Sequence, residues 1–229
     1  MSRATLPALD SSLYPQIWDQ HIFKDAQSLL LALLTTSFTL EPKAFTKQLL
    51  ANDIYQEWIN ATVFGRYIQR SFAAFYQQSE DSFNMDMPTL FRHELMRHAQ
   101  YLPVEQILFV AGDMPKSARQ EKLFTSTVNP ATAVLGAQKI NQNALKSGRA
   151  NNQPLILNQI RVVGKQVVGF PIRHNKRTSE RTRNEVLILD FHDLRLVDET
   201  YIEKNGIKTN SSEQSSFDSP TLLRYYDLR

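Results

Sequence analysis

Apolar positions follow two regimes along this chain. Up to about Leu102 they recur at three- and four-residue steps; beyond it they gather into short runs closed by turn residues. The first pattern predicts amphipathic helices and the second buried or half-buried strands. From Pro15 to Thr35 the positions Ile17, Trp18, Ile22, Ala26, Leu29, Leu30 and Leu33 predict one helix, with Pro15 in its first turn. A second helix is expected after Glu41-Pro42, through Phe45, Leu49 and Leu50. A longer third carries Ile54, Trp58, Ala61, Phe64, Ile68, Phe72 and Phe75. Its aromatic stripe reads as core rather than as a platform for stacking bases. Gln77 to Pro88 is polar, and Thr89 to Gln100 predicts a short fourth helix with Leu90, Leu95 and Met96 inward.

After Leu102-Pro103 the second regime begins. Gln106 to Asp113 reads as a strand closed by a Gly-Asp turn, Lys116 to Lys122 as a charged connection, and Leu123 to Val128 as a second strand. Asn129 suits the cap, and Pro130 the first position, of a helix over Ala131 to Lys139. A polar loop over Asn141 to Gln153 precedes strands at Leu155–Val163, Gln166–Ile172, Glu185–Phe191, Leu194–Ile202 and Thr221–Asp227. Asn210 to Ser219, rich in Ser, Asn and Gln, reads as a hairpin loop or a disordered tip. The expected class is α/β in the α+β sense, with a helical region over 1–101 and a strand-rich one over 102–229. No repeat and no linker separates them.

Composition narrows the chemistry. The chain has no cysteine, which excludes disulfides, thiolate metal sites and a thiol nucleophile. Its five histidines lack zinc-ligand spacing, so no metal site is expected. A net charge of +3 tolerates an anionic ligand without requiring one. The N-terminus lacks a secretory apolar core, and Leu29 to Leu34 is too short for a membrane span, so a soluble protein is expected. No glycine pattern forms a phosphate loop or a dinucleotide fingerprint.

Two stretches carry candidate chemistry. Thr182 to Phe191 sets one carboxylate, Glu185, where a basic, Pro-started segment (Pro171 to Arg181) meets the apolar run Val186 to Leu189. A carboxylate between a loop and a buried strand is held on one side and open on the other, although a lone Glu also serves as a plain strand end. Phe124-Thr125-Ser126-Thr127, running into Asn129-Pro130, places hydroxyls at a strand end where they can orient a carboxylate or hold a ribose. The run Arg173 to Arg183 suits phosphates of a nucleotide or nucleic acid, or a solvated face.

In their order, these pieces resemble the mono-ADP-ribosyltransferases of the Arg–Ser–Glu type found among bacterial toxins, effectors and phage proteins. The resemblance covers roughly Leu102 to Arg229. It rests on Phe124 to Ala131, on Asn184-Glu185-Val186-Leu187-Ile188, and on the closing Leu194 to Val197 and Leu222 to Tyr226. It implies a split mixed β-sandwich that grips NAD, and transfer of ADP-ribose to a macromolecular acceptor, protein or nucleic acid, with release of nicotinamide. Glu185 matches the glutamate that bonds the nicotinamide ribose and stabilises an oxocarbenium-like transition state; Ser126 matches the serine that holds it. Phe124 and Thr127 would shape the nicotinamide pocket. Arg181 and Arg183, in the loop before Glu185, correspond to the segment that meets the acceptor. The implied setting is the cytoplasm of the producing cell or of a target host cell. The chain departs from the pattern at Val110, where the family's first strand carries an arginine, at Arg183, where Glu or Gln is usual, and at Val128. The rival expectation is a binding module on the same scaffold that has lost catalysis and recognises protein or nucleic acid through the basic loop.

Overall fold

The computed structural model describes residues 3–35, 38–60, 92–93, 95–97, 99–147, 154–172, 184–202 and 220–229. The N-terminal part begins with a single helical turn, α1 (Asp10–Leu13), and a small antiparallel pair, β1 (Gln16–Trp18) and β2 (His21–Phe23). Helices α2 (Ala26–Thr35), α3 (Pro42–Ala51) and α4 (Asp53–Asn60) follow. The helix expected to start at Pro15 is therefore a hairpin followed by a helix. Asp19, at φ 52, turns the chain, and Ile17 and Ile22 sit opposite each other across the pair, both largely exposed. Their helical spacing was coincidental. Asp25 opens α2 instead, accepting from the Ser28 amide at 2.6 Å. Pro42 occupies the first turn of α3 as expected. The expected continuation of the third helix through Phe75 and the polar segment to Pro88 lie outside the described residues; residues 92–93 and 95–97 are helical.

The rest is dominated by one mixed sheet. Its strands are β3 (Gln100–Tyr101), β4 (Ile107–Ala111), β5 (Phe124–Thr127), β6 (Leu155–Val162), β7 (Val168–Pro171), β8 (Glu185–Asp190), β9 (Leu194–Ile202) and β10 (Thr221–Leu228), in the spatial order β3-β7-β8-β5-β4-β6-β10-β9. β6 and β10 run parallel; the other pairings are antiparallel. Between β4 and β5 lies α5 (Lys116–Gln120), a short helix where a charged connection was expected. After β5 comes α6 (Pro130–Lys146), which extends past Lys139 and takes up the start of the expected polar loop. Asn129 caps α6 by accepting from the Thr132 amide at 3.1 Å. The basic loop over 173–183 and the Ser/Asn-rich segment over 210–219 lie outside the described residues.

One joint in the sheet differs from the others. β4 and β5 are paired only through Phe109 and Thr127. The sheet thus consists of two halves, β3-β7-β8-β5 and β4-β6-β10-β9, meeting at a seam. Strand alternation gives the inner strands of each half two packed faces, while the edge strand β9 is largely exposed. Phe124, Val186 and Ile188 on one half and Leu108, Ile160 and Leu228 on the other join Leu9, Phe45, Leu49 and Trp58 of the N-terminal region in one core cluster. On the opposite face, Phe109, Leu157 and Leu223 pack with Leu30, Leu34, Ala133 and Ala137 of α2 and α6. Leu187, Leu189 and Phe170 form a third cluster with Leu95. The helical and strand-rich regions therefore share a core.

Candidate active site

The seam opens into a cleft of about 480 Å³. A single residue pair leaves the two strands unpaired on either side of it, and the cleft lies beside that pair. β4 contributes Phe109, Val110 and Ala111; β5 contributes Thr125, Ser126 and Thr127; β8 contributes Glu185; and α3 contributes Pro42. Along one side runs α6, with Thr132, Gly136 and Lys139 at helical spacing and Leu135 and Ile140 beside them. Two glycines bring α6 onto β4. A Cβ on Gly136 would lie 3.1 Å from the Ala111 Cβ, and one on Gly112 only 2.9 Å from Ile140 Cδ1. Gly112 also sits at φ +76, which a side chain would strain.

Glu185 opens β8 directly opposite Thr127, and Ser126 is opposite Val186. The Glu185 backbone carbonyl accepts from the Ile172 amide at 2.8 Å, which ties it to the β7 side as well. The Ser126 hydroxyl donates to the Val186 carbonyl at 3.0 Å. Its one proton is therefore committed to the backbone of β8, beside Glu185 rather than to a side chain. The Thr127 hydroxyl donates to the Asn184 carbonyl at 3.3 Å and accepts from the Asn129 amide at 3.0 Å.

Immediately before Glu185, Asn184 is buried and held at φ 46. Its Oδ1 accepts from Asn129 Nδ2 at 2.9 Å and lies 2.7 Å from the Thr46 hydroxyl; its Nδ2 donates to the Tyr55 hydroxyl at 3.2 Å. Tyr55 is pushed up to about 12 by burial, against a smaller opposing effect of the Asn184 hydrogen bond, and stays a neutral phenol.

The structure brings Glu185, Ser126 and Thr127 to one cleft. Phe124 is elsewhere: its ring sits in the main core, edge-on to Phe191 at 5.8 Å, and it does not line the cleft. Arg181 and Arg183 lie outside the described residues. Val110, where the resemblance would have an arginine, is buried and lines the cleft as an aliphatic residue. Sequence reasoning missed Lys139, the one cation among the described lining residues, which makes no ion pair among the described contacts. Its spacing from Thr132 on a capped helix was the available signal. It missed the Asn184 cluster as well, whose members are far apart in the chain. Among the described residues no cluster of metal-ligating side chains occurs, and no helix is long and apolar enough to cross a membrane.

No protein-family model matches the chain, and no curated protein matches it. Among solved structures it is similar to an ADP-ribosylating toxin, BECa of a binary enterotoxin of C. perfringens, determined with NADH. The identity is 9% and the TM-score 0.48, over 82% of this chain and 48% of that one. The chain thus spans about half the length of the toxin chain.

Proposed function

We propose that the seam cleft binds NAD and that the protein transfers ADP-ribose from it to a macromolecular acceptor, releasing nicotinamide. One observation carries this reading: Glu185 stands on the rim of a ligand-sized cleft at the single-pair seam, opposite Thr127 and next to the hydroxyl-rich β5. The donor set suits NAD. A carboxylate and neighbouring hydroxyls match a ribose diol, the Lys139 ammonium matches a diphosphate, and Phe109, Leu135 and Ile140 offer apolar surface to a ring.

In the reaction, the bond between the ribose C1′ and the nicotinamide nitrogen breaks, and its electron pair leaves with nicotinamide. Positive charge develops on the ribose as this happens. A fixed carboxylate beside that charge stabilises the transition state more than the ground state, which is the role given to Glu185. The acceptor nucleophile then bonds to C1′ and loses its proton. Ser126 acts through the backbone in this scheme, pinning Val186 and with it the start of β8. Lys139 is the cation assigned to the diphosphate in place of a first-strand arginine. Along α6 it lies about 10 Å beyond Thr132, at 1.5 Å per residue. Arg181 and Arg183 are assigned to the acceptor, where a cation favours an acidic or phosphate-bearing partner.

The buried Val110 favours a second reading, a module that keeps the scaffold without turnover and binds protein or nucleic acid. Nicotinamide release from NAD by the full chain, measured beside Glu185→Ala, separates the two. Release that is lost in the variant supports the transferase. The absence of both release and NAD binding, with salt-dependent affinity for nucleic acid, supports the module.

A further inference from the structure

We propose that Asn184 is the positioning residue for Glu185, and that through it helices α3 and α4 are part of the active site rather than an appendage to it. The inference rests on the transferase reading and assigns that site a support from outside the strand-rich region. Asn184 is 3% exposed and adopts a left-handed backbone that asparagine tolerates better than most side chains. Its peptide carbonyl accepts from the Val128 amide at 3.2 Å and from the Thr127 hydroxyl, so β5 holds its backbone.

Its side chain is held from three further directions, and the orientation of each amide is determined. The Asn129 Oδ1 accepts from the Thr132 amide to cap α6, so the Asn129 Nδ2 must face Asn184. The Asn184 atom facing that donor is therefore Oδ1, which leaves Nδ2 for Tyr55 on α4. Thr46 on α3 closes the cluster, its one proton lying within reach of both Asn184 Oδ1 and the Pro42 carbonyl at 2.8 Å. The Asn129 Nδ2 also reaches the Pro42 carbonyl at 3.1 Å, and Pro42 itself lines the cleft.

Thr46, Tyr55, Asn129 and Asn184 are all buried, so each lost partner leaves a polar atom unsatisfied away from water. The peptide entering Glu185 thus has its direction fixed by two N-terminal helices, the α6 cap and β5 together. A carboxylate that must sit beside a charge appearing only in the transition state depends on such fixing more than ligand binding does.

The test compares wild type, Glu185→Gln, Asn184→Gly, Thr46→Val, Thr46→Ser and Tyr55→Phe as full chains. The readouts are kcat for nicotinamide release, the NAD Kd and the melting temperature. Asn184→Gly keeps the left-handed backbone while deleting the amide, and Thr46→Val and Tyr55→Phe each delete one hydroxyl with little change of shape. The expected result is a kcat at least about tenfold lower in Asn184→Gly, and measurably lower in Thr46→Val and Tyr55→Phe, with NAD Kd nearly unchanged. Thr46→Ser, which keeps the hydroxyl, retains the wild-type kcat. If Asn184→Gly does not fold, the two hydroxyl variants decide. Wild-type kcat in the cluster variants overturns the inference while a dead Glu185→Gln leaves the transferase reading standing. A proportional loss of kcat, NAD binding and melting temperature also overturns it, since that marks a purely structural role. Equal release by wild type and Glu185→Gln overturns the transferase reading, and this inference with it.

Discussion

The two halves of the sheet meet at the seam but bring different materials to it. The β5–β8 side presents Thr125, Ser126, Thr127 and Glu185; the β4 side, with α6 against it, presents Phe109, Val110, Ala111, Leu135 and Ile140, with Lys139 as its one described charge. The ladders differ as well. β6 and β10 are paired along their whole lengths, whereas β5 is a four-residue strand held by β8 on one side and by one pair on the other. Polar groups thus sit on the short, locally tethered half, and mostly apolar surface sits on the long one. Such a division allows a polar wall to be fixed by side-chain hydrogen bonds without disturbing the ladder that carries much of the fold.

The comparison yields graded expectations. The largest concerns the polar wall: Glu185→Ala lowers the rate of nicotinamide release by about 10²–10³-fold, as loss of a transition-state electrostatic partner does, with an unchanged circular-dichroism spectrum. Next is the fastening of the other half. Asp10 accepts from Gln106 Nε2 and the Ile107 amide at the start of β4, and burial raises its carboxyl from 3.8 to about 6 despite those hydrogen bonds. A raised carboxyl contributes stability that is fully present below pH 3.8 and is lost as pH rises through about 6. Wild-type unfolding free energy should therefore fall across that window by up to about 3 kcal/mol relative to Asp10→Asn in urea melts.

A smaller effect belongs to the β5–β8 half. A Cβ on Gly169 would lie 2.7 Å from the Leu187 carbonyl oxygen, so Gly169→Ala should cost about 1–3 kcal/mol of stability by urea unfolding. It would strike the half that holds Glu185 and leave the β6–β10 ladder intact. The smallest belongs to the binding wall: Lys139→Met should weaken NAD binding about tenfold, roughly 1.4 kcal/mol, by isothermal titration, and reduce its salt dependence.

Much of the strand-rich half was legible in the chain because its apolar runs are short and bounded by Asn, Pro and Gly. Strands β4 to β10 lie close to where those runs put them, and the Asn129-Pro130 start of α6 followed from local capping chemistry. Glu185 and Ser126 were singled out by neighbouring residues along the chain, and the fold brings them to one cleft. What local pattern missed has a common cause. Ile17 and Ile22 fit a helix yet face each other across β1 and β2, because a turn at Asp19 decides between the two periods. Phe124 was grouped with its neighbours along the chain, but its ring packs into the core against Phe191. Thr46, Tyr55, Asn129 and Asn184 are separated by up to 138 residues, and their contact is a product of the tertiary fold. Lys139 had a signal in its spacing from Thr132, and the cleft beside α6 gives that spacing its meaning.

The measurement that bears most directly on the account is a chemical-shift map of the isotopically labelled full chain titrated with NAD. Among the described residues, two clefts flank the β4–β6–β10 half: the seam, and a second one of about 370 Å³ lined by Gln159, Arg161, Asp198 and Tyr225. The expected result is saturable shifts at Thr125 to Thr127, Gly136 to Ile140 and Glu185, with the Gln159–Tyr225 cleft unmoved. Shifts confined to that second cleft, or none at millimolar NAD, would contradict the assignment of the seam as the nucleotide site.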